Sequence, residues 1–309
     1  MQALVTGGAG FIGSHIVDAL VERGDDVVVL DDLSTGFTAN VHPSATLVEG
    51  SVADEAAVAR AVAGCEVVFH QAAHKAVLRS VERPLTTDTA NTHGTLTVLK
   101  AAADAGVRRF VHASSSSVYG GATVVPTPET TPLVPRSPYA VTKLAAENYC
   151  RVFTELYGLE TVALRYFNVY GPRQRPDATY AAVIPLFVDA LLHGRAPEVH
   201  GDGLQSRDFT YISDVVGANL AAAEAPGAAC AGHVYNIAPG TAASLLDILA
   251  GLGALLGVTP EPNFVAPRAG DVRHSLADSS AAERDLGFRC SVTLEDGLAR
   301  TVEWLRTLV

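Results

Sequence analysis

Tyr139 and Lys143 stand four residues apart in the run Ser137-Pro138-Tyr139-Ala140-Val141-Thr142-Lys143. On a helix that spacing puts both side chains on one face, a turn apart. An ammonium beside a phenol favours the phenolate and lowers the phenol's pKa. A tyrosine so placed serves as a general base near neutral pH. Just upstream runs Ser114-Ser115-Ser116-Ser117-Val118-Tyr119-Gly120, and a serine hydroxyl near the phenol can hold the substrate oxygen whose proton moves. An ordinary amphipathic helix also sets a tyrosine over a lysine now and then. With nine tyrosines and only Lys75, Lys100 and Lys143 in the chain, the pair alone decides little. The elements that carry it decide more.

Those elements begin with an apolar strand, Ala3-Leu4-Val5, which runs into Thr6-Gly7-Gly8-Ala9-Gly10-Phe11-Ile12-Gly13 and then a helical pattern from Ser14 to about Arg23. Gly7, Gly10 and Gly13 are spaced for a dinucleotide turn: a tight bend, a close backbone approach to pyrophosphate, and close helix–strand packing. The helix N-terminus then offers N–H groups to the phosphates. The next strand, Val27 to Leu30, ends at Asp31, twenty-one residues after Gly10 and at the position for the adenosine ribose hydroxyls. Asp32 and Leu33 follow it and welcome no 2′-phosphate, so NAD is favoured over NADP. The alternation continues with a strand over 45–49, a helix over 55–62 and a strand over 66–69. That strand ends in His70-Gln71-Ala72-Ala73-His74-Lys75, where His74 reads as a loop histidine because no partner has metal-ligand spacing. A helical segment spans 84–105 with Asn91 inside it. A strand over 109–112 then delivers the serine run to the C-terminal edge of the sheet, where ligands sit. Residues 120–138, with five prolines, read as a surface loop. A helix from Tyr139 to about Tyr157 and a strand over 161–164 follow. The pattern specifies an α/β fold, a doubly wound parallel Rossmann sheet with a smaller α/β substrate lobe.

After Arg165 the texture turns irregular around Asn168-Val169-Tyr170-Gly171-Pro172-Arg173 and Gly201-Asp202-Gly203. Helical patterns recur over 184–193, over 212–224 (opened by Ser213-Asp214), over 245–256 and over 294–308, with a buried strand over 234–237. The chain divides into 1–167 with 213–240 as the dinucleotide domain, and 168–212 with 241–309 as the substrate lobe.

At 309 residues the chain can bury a sizeable core, and 48% hydrophobic against 18% charged residues excludes disorder. A net charge of −11 argues against nucleic-acid binding, so an anionic ligand needs local arginines. Cys65, Cys150, Cys230 and Cys290 lie far apart, without zinc or disulfide spacing, and read as buried thiols. No metal is implied. A strand starting at Gln2 leaves no room for a signal peptide, and no apolar run reaches membrane length. The expectation is a cytoplasmic protein.

Taken together, Gly7-x-x-Gly10-x-x-Gly13, Asp31, the serines before Val118-Tyr119-Gly120, Tyr139-x-x-x-Lys143 and Arg165-Tyr166-Phe167-Asn168 resemble an extended short-chain dehydrogenase/reductase, closest in type to a UDP-hexose 4-epimerase. The similarity runs nearly end to end. It implies that Ser115 holds the oxygen on sugar carbon 4, that Tyr139 takes its proton, and that Lys143 holds the nicotinamide ribose and tunes Tyr139. Hydride passes to NAD, the 4-keto sugar turns over, and the hydride returns to its other face. The resemblance also implies cofactor contacts at Gly7, Gly10, Phe11, Ile12, Gly13, Asp31, Leu33, Ser34, Thr35, Gly36, Val52, Ala72, Lys75 and Asn91, besides Tyr139 and Lys143. On the nucleotide-sugar side it implies Asn168, Arg207, Arg268 and Asp271 at diphosphate and uridine, joined by Lys75, Ser115, Ser116, Tyr139, Ala182, Val183, Val199 and Ser275.

Substrate choice turns on Ser275. Members of the family restricted to plain hexoses place a tyrosine there, and a small residue leaves room for a 2-acetamido group. The implied reaction interconverts UDP-GlcNAc and UDP-GalNAc, with UDP-Glc also accepted. Ser51 stands where the family commonly has an aspartate near adenine, and His200 where it has a uracil-stacking aromatic. Arg175 falls where uronic-acid 4-epimerases place an arginine. Dehydratases need an acid beside the catalytic hydroxyl; here those places hold Ser116 and Ser117. The family pairs subunits through two helices each, here about 84–105 and 139–157, which implies a homodimer packed on alanine-rich faces.

Overall fold

Among the residues described by the computed structural model (1–121, 124–177, 180–267 and 272–308), seven parallel strands build the main sheet. They are β1 Gln2–Thr6, β2 Asp26–Asp31, β3 Thr46–Glu49, β4 Val67–His70, β5 Arg109–Ser115, β6 Glu160–Tyr166 and β7 His233–Ile237. Their order is β7-β6-β5-β4-β1-β2-β3. The doubly wound sheet read from the alternation is therefore present, and its order reverses between β1 and β4, opening a crevice at their C-terminal ends.

Alternation along the strands feeds two cores. Val5, Phe69 and Val111 face the helices Phe11–Glu22 and Ile212–Glu224, while Leu4, Val68 and Phe110 face Glu55–Val62, Gly94–Asp104 and Pro138–Tyr157. Sheets covered on both faces require this near-continuous apolar reading. The first core continues without a break into Phe187, Val199 and Leu252. We therefore propose that the division at 167/168, 212/213 and 240/241 separates two binding roles on one shared core.

The helix Pro138–Tyr157 is set by local chemistry. The Ser137 hydroxyl caps it by accepting from the Ala140 N–H at 3.1 Å, Pro138 takes the first position, and Gly158 ends it at φ +69°. The 84–105 segment is helical as read, but interrupted: Pro84–Asp88 and Gly94–Asp104 flank a π-helical turn, Thr89–His93. Such a widened turn redirects a side chain, and here it turns Asn91 inward. The 212–224 helix starts at Ile212 with no side-chain cap, and Asp214 instead accepts from the Ser291 and Val292 N–H groups.

Two readings are corrected. Residues 120–138 are no mere surface loop. Thr127 is buried, exchanges main-chain hydrogen bonds with Leu276 and Asp278, and the Glu129 carboxylate accepts from the Asn236 N–H. The prolines stiffen a segment that crosses the C-terminal ends of β6 and β7, and its main chain finds partners there. The turn-rich stretches also contain short strand pairs: Thr210–Tyr211 on Val169–Tyr170, Ala242–Ser244 on Ser206–Asp208, and Asn263–Val265 on Glu198–His200. Elements of two or three residues carry too little periodicity to be read. All four cysteines are free, though Cys290 is only half-buried. No helix among the described residues is long and apolar enough to cross a membrane.

A Cβ on Gly13 would lie 2.2 Å from the Gly7 carbonyl oxygen. Gly13→Ala therefore forces the turn off the helix and should cost about 1–3 kcal/mol. Urea unfolding checks this; an unchanged midpoint would show that the turn yields freely.

Candidate active site

The crevice is a cavity of about 660 Å³. On one side the glycine turn presents Gly7, Gly10, Phe11, Ile12 and Gly13; Asp31, Ser34 and Thr35 follow β2, and Val52 follows β3. Gly7 sits at φ +70°, with the site of its missing Cβ 2.7 Å from the Ala72 nitrogen. Only glycine lets these two turns touch. Gly10 caps the Phe11–Glu22 helix without a side-chain bond, which leaves its first N–H groups directed at the cavity. The Asp31 carboxylate is fixed by the Ala9 and Leu33 N–H groups, each at 2.9 Å. Burial pushes its pKa up and those bonds oppose the shift. Leu33, at φ +55°, and Gly36, whose Cβ would meet Asp31 at 3.0 Å, shape the loop behind it.

On the opposite side Tyr139 and Lys143 enter the same cavity with Ala72 and Lys75. The Lys143 ammonium donates to the Ala113 carbonyl at 2.7 Å and lies 5.9 Å from the centre of the Tyr139 ring. Burial lowers the Lys143 pKa to about 8, against the opposing fields of Cys150 and Glu147. The Ser115 hydroxyl lies close enough to the Tyr139 phenol to oppose the rise of its pKa. The same hydroxyl accepts from the Ser117 N–H at 3.2 Å, capping the short turn Ser116–Tyr119. The phenol's pKa is raised by burial rather than lowered, with the Ser115 hydroxyl opposing the shift.

The remaining candidates separate by position. Asn91 is fully buried behind the cavity. It accepts from the His74 N–H at 2.8 Å and donates to the His74 carbonyl and the Thr142 hydroxyl, so it clamps the loop after β4 onto the catalytic helix. Asn168, exposed at φ +24°, donates to the Asp208 carbonyl. Ala182 and Val183 open the helix Val183–Leu192. Val199 is wholly buried in the core, paired with Phe264. Arg207 donates to the Ser206 carbonyl at 2.9 Å, and the Ser275 N–H joins the same strand at the Ser206 carbonyl. Arg268 and Asp271 lie outside the described residues. His200 bonds the Ala266 carbonyl and lies 3.2 Å from Glu198.

The structure also shows cavity residues that the sequence reading passed over. Gln71 and Tyr166 line the floor and share hydrogen bonds with buried Asn219. Tyr166 lies inside the Arg165-Tyr166-Phe167-Asn168 motif, so a signal existed; Asn219, mid-helix and distant, had none. At the rim Tyr180 donates to Glu82 at 2.6 Å, and the Arg175 guanidinium pairs with Asp177 over the Phe37 ring.

A glycine-cradled crevice facing a Ser–Tyr–Lys set defines a dinucleotide-dependent α/β enzyme. A model of the NAD dependent epimerase/dehydratase family matches residues 3–238, and the chain belongs to that family. It is 41% identical over 313 residues to UDP-glucose 4-epimerase of Mycolicibacterium smegmatis, covering 99% of each chain. Among solved structures it resembles UDP-glucose 4-epimerase of Thermotoga maritima with UDP-glucose (TM-score 0.95, 40% identity, 100% and 99% covered). It equally resembles UDP-N-acetylglucosamine 4-epimerase of Methanobrevibacter ruminantium in complex with UDP-N-acetylmuramic acid (TM-score 0.95, 37% identity, 100% and 99% covered). The cofactor is NAD, and the residues fit it: a cradle that a Cβ at Gly7 or Gly13 would fill, and a fixed carboxylate at the end of β2.

Lys143 sets a pH limit. Its ammonium is present below pH 8 and lost above it, so kcat should fall as pH rises through about 8. Lys143→Arg, which keeps its charge, should flatten that alkaline limb at a lower kcat. A limb that stays in the arginine variant would assign it to another group.

Proposed function

We propose that this enzyme is a UDP-sugar 4-epimerase, an isomerase, whose main reaction interconverts UDP-GlcNAc and UDP-GalNAc, with UDP-Glc and UDP-Gal also interconverted. The observation that carries the reading is Tyr139 beside buried Lys143 in the cavity that holds the dinucleotide cradle, with Ser115 next to the phenol at the end of β5. Ser115 holds the hydroxyl oxygen on carbon 4. Tyr139 takes its proton and later returns it, so no net proton leaves the site. Lys143 keeps a positive charge within reach of the phenol. NAD, which the Gly7–Gly13 turn and Asp31 would hold, would supply the hydride acceptor and donor that inversion at carbon 4 needs. Ser116 and Ser117 supply no acid for expelling water, which supports epimerisation over elimination.

Arginines near the nucleotide site form charge-assisted bonds to the diphosphate, a role we assign to Arg207 and Arg268. A uronic-acid substrate is disfavoured because Asn168 and the run Tyr180-Ala181-Ala182-Val183-Ile184-Pro185 resemble hexose and N-acetylhexosamine enzymes. Room at Ser275 supports the acetamido sugar. UDP-GlcNAc, UDP-Glc and UDP-GlcA assayed in parallel test this order. Ser275→Tyr should lower kcat/KM for UDP-GlcNAc by more than about tenfold and leave UDP-Glc nearly unchanged. Tyr139→Phe should lose about 10²-fold or more in kcat with NAD retained; wild-type turnover in that variant would defeat the mechanism.

We also propose a homodimer through the Pro84–Asp104 and Pro138–Tyr157 segments. Ala102, Ala140 and Ala146 pack inward, and Leu85 (82% exposed), Val141 (52%), Leu156 (75%) and Tyr157 are large apolar residues that these segments present. Burying them in a partner is the hydrophobic gain available. Leu85→Asp with Val141→Asp should halve the mass seen by light scattering; a monomeric wild type would end the proposal.

A further inference from the structure

Behind the Ser–Tyr–Lys set lies a buried ion pair that the reaction as described leaves unused. Glu147 follows Lys143 by one helical turn, on the same face. Its carboxylate accepts from the Arg165 guanidinium through two bonds, at 2.9 and 2.8 Å, and from the Ser114 hydroxyl. Both charged side chains are only 4% exposed. On its far side Arg165 donates to the Tyr119 hydroxyl at 2.8 Å, which donates to Asn236 at 2.7 Å; Asn236 in turn donates to the Asp278 carbonyl.

An apolar pair of the same volume would hold helix to sheet at least as well, since charges lose their hydration on burial. The pair does something that an apolar pair cannot. Ala113 and Ser114 are consecutive on β5: the first takes the Lys143 ammonium and the second gives its hydroxyl to Glu147. Two successive turns of the catalytic helix are thereby fastened to two successive residues of the strand, and the next residue is Ser115. The register between Ser115 and Tyr139 follows from those two fastenings.

We propose that Glu147 and Arg165, acting through Ser114, are positioning residues for the epimerisation: they set the Ser115–Tyr139 geometry and hold Lys143 in its charged form. This rests on the epimerase reading above. The groups facing Lys143 are few. His70 from β4 and His112 from β5 are kept neutral by burial, as is the Cys150 thiol on its own helix. Glu147 is the charge of opposite sign among the groups that shift it.

The test compares holoenzyme variants on the UDP-sugar that the wild type turns over. Ser114→Ala, which leaves the ion pair whole, should lower kcat about three- to tenfold with KM within about twofold. Glu147→Gln should lower kcat by at least about tenfold and move the alkaline limb of the pH profile to lower pH, because the ammonium loses its counter-charge. A purely structural role would lower stability without moving that limb. The proposal is overturned by wild-type kcat in Ser114→Ala, or by an unmoved limb in a Glu147→Gln enzyme that keeps its circular dichroism and bound NAD. Should Glu147→Gln not fold, Ser114→Ala decides alone. A wild type that turns over no UDP-sugar would overturn the epimerase reading and this proposal together, whereas turnover untouched by both substitutions would overturn this proposal alone.

Discussion

The site depends on how closely the Pro138–Tyr157 helix lies against β5. Lys143, 4% exposed, reaches the Ala113 carbonyl at 2.7 Å. An ammonium buried that deeply needs bonded partners or it gives up its proton, and its lowered pKa records the strain between the two outcomes. The small residues at the contact, Ala140 and Ala146 at 1% exposure, permit the approach. Everything on that helix face, Tyr139 above all, inherits its place from it.

Within the second lobe, main-chain donors to a buried carboxylate join the segments more than exposed ion pairs do. Asp208 is completely buried and accepts from the Ala277 N–H at 3.0 Å and the Thr241 N–H at 3.3 Å. Burial pushes its pKa up to about 6 while those donors oppose the shift. Asp208 thus ties the strand of Arg207 to the segment after Ser275. Around it, exposed ion pairs such as Arg273–Asp202 are worth little, of order ~1 kcal/mol or less. The overall charge of −11 repels an anionic nucleotide. The Gly10-capped helix, with its free N–H groups, is a local counterweight the fold offers.

The sheet was readable from composition and period alone, because strands covered on both faces must be apolar and helices between them must be amphipathic. The glycine turn, Asp31, and the Tyr139–Lys143 face were readable because each obeys a local spacing. The alanines of the two outer helices divide between inward and outward positions, since alanine's helix propensity says nothing about which way it faces. The loop after Gly120 misled: its prolines announced irregular backbone, while its burial came from partners at Asn236 and Asp278 more than a hundred residues away.

Local spacing, then, is what the chain alone determined: the dinucleotide fold, the cofactor, the Tyr139–Lys143 face and the family. Tertiary structure decided which groups share a site. It put Gln71, Tyr166 and Asn219 in one hydrogen-bonded floor, turned Asn91 into a clamp, and sent the Val199 side chain to the core. It also fastened the Lys143 ammonium to the Ala113 carbonyl and joined Ser114, Glu147 and Arg165 behind it. Such contacts join residues distant in sequence, and burial, which sets their charge states, exists only once the chain has packed.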